Sequence, residues 1–302
     1  MSTSDMPLLG VTNPVSWVGR RTIEVAGYFG GMGILLTSTL KALWQNEPLS
    51  ATFQHEIRDE LHWMFMLGMP LIGLIHIGLG SFLALQGYYG GTFVEGTGAI
   101  VGVGLIRNVA PLMACQVLAI ILAARITPEI RRDYGQKDEP TTPRVGLLDR
   151  PSVVVRDIPA SPKLPPVSRA ICVRVVAGTI TGCIMGLWGS AVGTLVGWAV
   201  SKSLMGVTSH SFFHMFWDML WTRDIVGLFV KGSAFGMVAT LLACQEGIRG
   251  RSGATVPELA SSACRAACLA MTAILVINGA WFVMLYHAGP AFGPTLLKPP
   301  MH

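Results

Sequence analysis

The chain has 302 residues, of which 51% are apolar and only 13% charged, against roughly 25% charged in an average soluble domain. With a mean hydropathy of +0.54, it carries more apolar surface than a soluble fold of this size can hide, and disorder needs the opposite composition. Its length and the lack of a Gly-X-Y period exclude disulfide scaffolds and collagen, leaving an all-α, polytopic membrane protein. The net charge of +5 belongs to loops rather than to a nucleic-acid surface, because membrane proteins concentrate Lys and Arg on the cytoplasmic side.

Residues 1–19 lack a basic segment leading into an apolar core, so the start does not read as a signal peptide. The stretch 23–44 is apolar but Gly-rich (Gly27, Gly30, Gly31, Gly33), carries Thr37, Ser38 and Thr39, and is flanked by Arg20, Arg21 and Lys41. That pattern predicts an amphipathic helix lying in the membrane interface, with full insertion as the weaker option. The segment HEIRDELH (His55 to His62) is superficially similar to a zincin motif, but Asp59 stands where the second His is needed. It reads as a polar helix at the membrane surface. Together, residues 1–62 form an N-terminal cytoplasmic and interfacial region.

Five segments pass the test of about 20 mostly apolar residues for a spanning helix: about 64–88, 97–124, 170–200, 225–245 and 263–287. They make residues 63–288 a transmembrane domain and leave 289–302 as an extracytoplasmic tail. The connections alternate in charge. No Lys or Arg occurs in 89–96, whereas 125–169 holds Arg125, Arg131, Arg132, Lys137, Arg144, Arg150, Arg156, Lys163 and Arg169. Only Lys202 and Arg223 lie in 201–224, while Arg249 and Arg251 lie in 246–262. This alternation places the N-terminus inside and the C-terminus outside. Within the large basic loop, 133–168 contains seven prolines, which remove backbone donors and break helices. It reads either as an extended linker or as a docking surface for a cytoplasmic partner.

Neither a phosphate-binding P-loop nor a G-x-S-x-G nucleophile elbow occurs. His210, His214 and Asp218 fall at helical spacing, a possible metal set, but Phe212, Phe213, Phe216, Trp217 and Trp221 around them favour an aromatic interface belt. The six cysteines include no C-x-x-C and read as small buried residues. Polar groups inside spans are costly, about 2.5–3.5 kcal/mol for an Arg at the centre, so Gln86, Arg107, Asn108, Gln116, Glu129 and Lys231 attract functional suspicion. Glycine runs (Gly98, Gly102, Gly104; Gly186, Gly189, Gly193, Gly197) allow close helix approach.

Three blocks carry a family resemblance: GSFLALQGYYGG (Gly80 to Gly91), GLIRNVAPLMACQVLAIILAARITPEI (104–130) and GLFVKGSAFGMVATLLACQEGIRGRSGA (Gly227 to Ala254). They resemble the MlaE/YrbE permeases of MCE-type lipid ABC transporters. The matching positions are Gln86 and Gly87; Arg107, Pro111 and Glu129; and Lys231, Phe235, Gly236, Cys244, Gly247, Gly253 and Ala254. Gln116, Leu118, Ala119 and Thr127 look most like the actinobacterial YrbE version. The chain departs from the pattern in two places. Asn108 stands where the family usually has Glu, and Glu129 leads into IRRDYG and the proline-rich stretch instead of the usual coupling helix.

The resemblance implies a multi-pass subunit of the bacterial plasma membrane, with no catalytic residues, no bound cofactor and no metal. ATP would be hydrolysed by a separate cytoplasmic ABC ATPase, docked near Glu129, Arg131 and Arg132. A second permease copy or paralogue would complete a dimer, MCE-domain proteins would sit on the outer face, and membrane lipid would be the cargo. The lipid pocket is expected near the dimer seam, lined by the first, second and fifth spans, with Leu85, Gln86, Leu105, Arg107 and Gln116 as its candidate residues. A non-transporting scaffold of such a complex and a secondary transporter are the alternatives.

Overall fold

A computed structural model describes residues 14–44, 51–89, 97–135, 166–251 and 253–287. The readings of the proline-rich loop, of the first outer connection and of the tail after 288 lie outside these residues. The described chain is helical: α1 (Pro14–Trp44), α2 (Ala51–Tyr89), α3 (Thr97–Gly104), a π-helical turn (Leu105–Val109), α4 (Ala110–Tyr134), α5 (Val167–Met205), α6 (Ser209–Met219), α7 (Thr222–Ile248) and α8 (Val256–His287). Among the described residues, six helical segments are long and apolar enough to cross a bilayer, five of them overlapping the expected spans and the sixth lying in α1.

Helix α5 is the axis of the bundle, packed between α2 and α7, while α4 is wedged against α7 and α8. Glycine sets these distances. On the α5–α7 crossing, Gly178 and Gly182 face Gly232 and Gly236, and a Cβ on Gly182 or Gly236 would overlap the facing backbone carbonyl of Gly232 or Gly178. Between α2 and α5, a Cβ on Gly80 would likewise overlap the Gly193 carbonyl. Two spans therefore meet α5 backbone to backbone, where dispersion rather than hydrophobic exclusion holds helices together in lipid. Helix α5 ends at Gly206 in the left-handed conformation, φ 66°, the usual glycine stop. Thr208 then caps α6 by accepting the Ser211 N–H at 3.2 Å.

The placement of α1 follows from what it touches. Gly31 lies against Gln245 near the end of α7, and Arg249 stacks over Tyr28. The far end of α1 packs Ala42 with Phe53, Cys172 and Val173, at the starts of α2 and α5. All of these belong to the arginine-rich face, where Arg125, Arg131, Arg169, Arg174, Arg249 and Arg265 gather. A helix of 31 residues, about 46 Å long, that contacts only one end of α5 and of α7 lies along that face as an interfacial helix does, although its length and hydropathy would also allow a crossing.

That same face is bound by ion pairs. Arg169 donates to both Glu56 carboxylate oxygens at 3.2 and 3.1 Å, and Arg174 reaches Glu60 at 3.5 Å and Glu129 at 3.3 Å. Glu56 and Glu60 are thus the inward side of the polar segment 52–62, which forms the first turns of α2, and His55 pairs outward with Asp59 at 2.9 Å. On α6, His214 pairs with Asp218 at 3.1 Å on the exposed side, Phe212 and Phe216 are buried, and no set of three ligating side chains sits close enough for a metal among the described residues.

Candidate functional site

The second span is interrupted where its polar residues occur. Pro111 at the start of α4 has no N–H, so it cannot donate to the carbonyl of Arg107 four residues earlier. The helix widens here into a π turn, with Ala110 N–H reaching the Leu105 carbonyl, a distortion frequent at functional positions. Lys231 of α7 takes the orphaned Arg107 carbonyl with its ammonium group. The same turn aims the Arg107 side chain at the junction of α6 and α7: its Nη2 donates to the Met219 carbonyl at 3.0 Å, and its Nε lies 3.0 Å from Asp224 Oδ2 as an ion pair. The N–H of that Nε is not aligned for a hydrogen bond, so the contact is one of charge.

Asp224 is held from behind. Its Oδ2 also accepts the Trp221 backbone N–H at 3.0 Å, and its own N–H donates to the Trp221 carbonyl at 2.8 Å. A carboxylate in the first turn of α7 faces the positive end of the helix dipole as well. The Asp224 side chain is 8% exposed and that of Arg107 33%, and Lys231 is buried with its ammonium 5.6 Å from the Phe282 ring centroid. Arg107, Arg223, Asp224 and Lys231, with Trp281 and Phe282, line a cleft of about 30 Å³, room for about one water or one ligand oxygen. Three cations around one carboxylate leave the cleft positive, a fit for an anionic oxygen at the mouth of an apolar bundle.

The remaining residues expected in a lipid pocket do not converge on this cleft. Leu105 is fully buried and packs on Gly193; Leu85 and Gln116 are half-buried, and Gln86 is exposed. A larger apolar groove lies between α1, α7 and α8, so the first and second spans contribute none of its wall. Within the single chain these residues do not share one cavity: Leu105 is used in helix packing, and the groove forms where α1 leaves α8 uncovered.

The expected coupling residues also separate. Arg131 is 9% exposed and turns inward, donating to the Arg251 carbonyl at 3.1 Å and the Glu258 carbonyl at 3.0 Å. It clamps the turn between α7 and α8. Glu129 bonds Arg125 at 2.8 Å and Arg174 at 3.3 Å. Only Arg132 projects outward, beside Asp133 at 2.9 Å. Replacing Arg131 with Met keeps the aliphatic stem and removes both charge-assisted bonds. Amide exchange across 249–258 should accelerate by the equivalent of about 1.5–3 kcal/mol.

The family-motif positions have physical roles of unequal weight. Phe235 is fully buried in the main core, and Gly236 lies in the α5–α7 crossing. A Cβ on Gly247 would stand 2.8 Å from the Ile130 Cβ, whereas Gly253 is exposed in open space. Gly87 is half-buried near the end of α2. The residue that sequence reasoning missed is Asp224, one position before the expected fourth span; its signal was an acid three residues after Trp221, the N3 position of a capped helix.

Residues 161–284 match the family model described as Permease MlaE, which covers α5 to α8. The chain is 23% identical over 245 residues to a probable ABC transporter permease protein of Rickettsia typhi, covering 80% of this chain and 86% of that one. It is 24% identical over 251 residues to a similarly described protein of Rickettsia felis, covering 82% and 87%. The intermembrane phospholipid transport system permease protein MlaE of Haemophilus influenzae is 23% identical over 241 residues, covering 78% and 84%.

Proposed function

We propose, from the similarity of residues 161–284 to the Permease MlaE family model, that this multi-pass chain is the membrane subunit of an ATP-driven transporter of lipids in the bacterial plasma membrane. Without a P-loop of its own, it takes energy from a cytoplasmic ABC ATPase, works with a second permease copy or paralogue, and delivers to or receives from MCE-domain proteins outside. The 1–62 region lies on the cytoplasmic face, residues 63–288 form the permease domain, and 289–302 is the outer tail. The phospholipid named in the Haemophilus relative is one member of the cargo class.

The observation that carries this reading is the positive cleft of Arg107, Lys231 and Asp224 in an otherwise apolar bundle. A lipid presents one anionic head and long apolar chains, and the cleft supplies charge for the first while the bundle accommodates the second. The test is ATP-driven transfer of a fluorescent phospholipid by the reconstituted complex. Lys231→Met should lower transfer at least about tenfold, the loss of one charge-assisted contact, while the ATPase still co-purifies. Unchanged transfer, or a chain that never associates with an ATPase, overturns the reading; the latter result belongs to a scaffold.

A further inference from the structure

The groove between α1, α7 and α8, about 840 Å³ in volume, is of the size that holds ligands. Its walls are Phe29 and Met32 of α1, Leu242 of α7, and Leu269 and Val276 of α8. Its charged residues gather at one end: Arg21, Glu24, Glu246, Arg249 and Arg265. Glu24 is matched by Arg21 at 3.2 Å, and buried Glu246 by Arg265 at 2.6 Å. Arg249 is the surplus cation. Its guanidinium lies 4.9 Å from the Tyr28 ring centroid and meets no carboxylate among the described residues. Among the described residues, three guanidinium groups against two carboxylates give this end a net +1.

The depth of the groove matches one leaflet. The wall of α8 runs from Arg265 to Ile277, a rise of about 18 Å at about 1.5 Å per residue, close to half of a hydrocarbon core about 30 Å thick. The charged end belongs to the arginine-rich face, hence to the cytoplasmic leaflet, which carries anionic lipids. We infer that the groove binds one anionic phospholipid of the cytoplasmic leaflet, its phosphate held by Arg249 and Arg265 and one acyl chain laid along α8. Arginine suits this role because its planar donors meet two phosphate oxygens at once, and Tyr28 keeps the Arg249 plane in place by cation–π contact. The site is separate from the Arg107 cleft and is independent of whether, or in which direction, the chain transports lipid.

The test is native mass spectrometry of the full-length chain purified with equal amounts of phosphatidylglycerol and phosphatidylcholine bearing identical acyl chains. One phosphatidylglycerol per chain should be retained, preferred by about tenfold, the size of one charge-assisted hydrogen bond. R249Q should remove that preference and R249K keep most of it. A273W fills the apolar wall, leaves every arginine in place, and should displace the lipid. Glycerol 3-phosphate should not compete. Equal retention of both lipids overturns the proposal, as does retention unchanged by R249Q and A273W together. Displacement by glycerol 3-phosphate would show a phosphate site without a lipid. A chain that carries no lipid, and whose dimer dissociates in A273W, would show the groove filled by a second copy; either result also overturns it. Loss of transport in reconstituted complexes is not the readout, so failure here leaves the permease reading intact and the reverse also holds.

Discussion

Gly236→Val is expected to abolish recovery of monodisperse protein, and Gly182→Val to do the same. A Cβ at either position falls on a backbone carbonyl of the facing helix, and backbone cannot swing aside as a side chain can. The crossing would have to widen along its length, and Phe235, fully buried one residue away, would lose its packing. Overpacking in cores costs about 1–3 kcal/mol where side chains can adjust; with two rigid helices the cost should exceed about 3 kcal/mol. Gly33 in α1 is the control, because a Cβ there meets nothing within 4 Å. Gly33→Ala should be neutral or stabilise by up to about 1 kcal/mol through helix propensity. Size-exclusion profiles and thermal midpoints in detergent separate the two, and a well-behaved Gly236→Val protein would show that the backbones do not meet.

Arg107→Ala is expected to destabilise the chain by about 2–3 kcal/mol, and Asp224→Ala by a similar amount. Breaking a buried pair by removing one partner costs about 3–5 kcal/mol; the lower figure reflects an Arg107 side chain that is 33% exposed and so partly screened. Each single change strands a charge at the mouth of an apolar bundle. Removing both strands neither, so R107A/D224A should be less destabilised than the sum of the singles, a coupling readable in a double-mutant cycle. Additive effects would mean that the two charges do not sense each other. Pro111→Ala tests the origin of the geometry from another direction: restoring an N–H to the Arg107 carbonyl puts α4 in competition with Lys231 for the same acceptor.

Parts of this site were legible before any coordinates. Arg107, Pro111 and Lys231 stand out as a charge inside a span, a proline inside a helix and a second charge inside another span, each a local violation of membrane composition. That the three are one device was not legible, because Lys231 lies 124 residues from Arg107 and no local pattern encodes the crossing of α7 with the π turn. Arg131 and Arg132 illustrate the same limit. Adjacent and identical in sequence, they point 100° apart on a helix, so one is buried as a clamp and the other exposed. The lipid groove escaped because its walls come from α1, α7 and α8, and it exists only through the gap that α1 leaves beside α8.

The sequence alone determined that the chain belongs in a bilayer, where its five main spans lie and which face carries the arginines. Those properties are sums over short windows, and the cost of burying charge or exposing apolar surface is set residue by residue. Only the tertiary structure decided which polar groups meet, which glycines let backbones touch, and that α1 lies along the arginine-rich face. Those outcomes depend on the rotation and depth of each helix against its neighbours, which close packing settles collectively. Where packing left a gap, beside α8, it also left the groove whose charged end lies on the arginine-rich face.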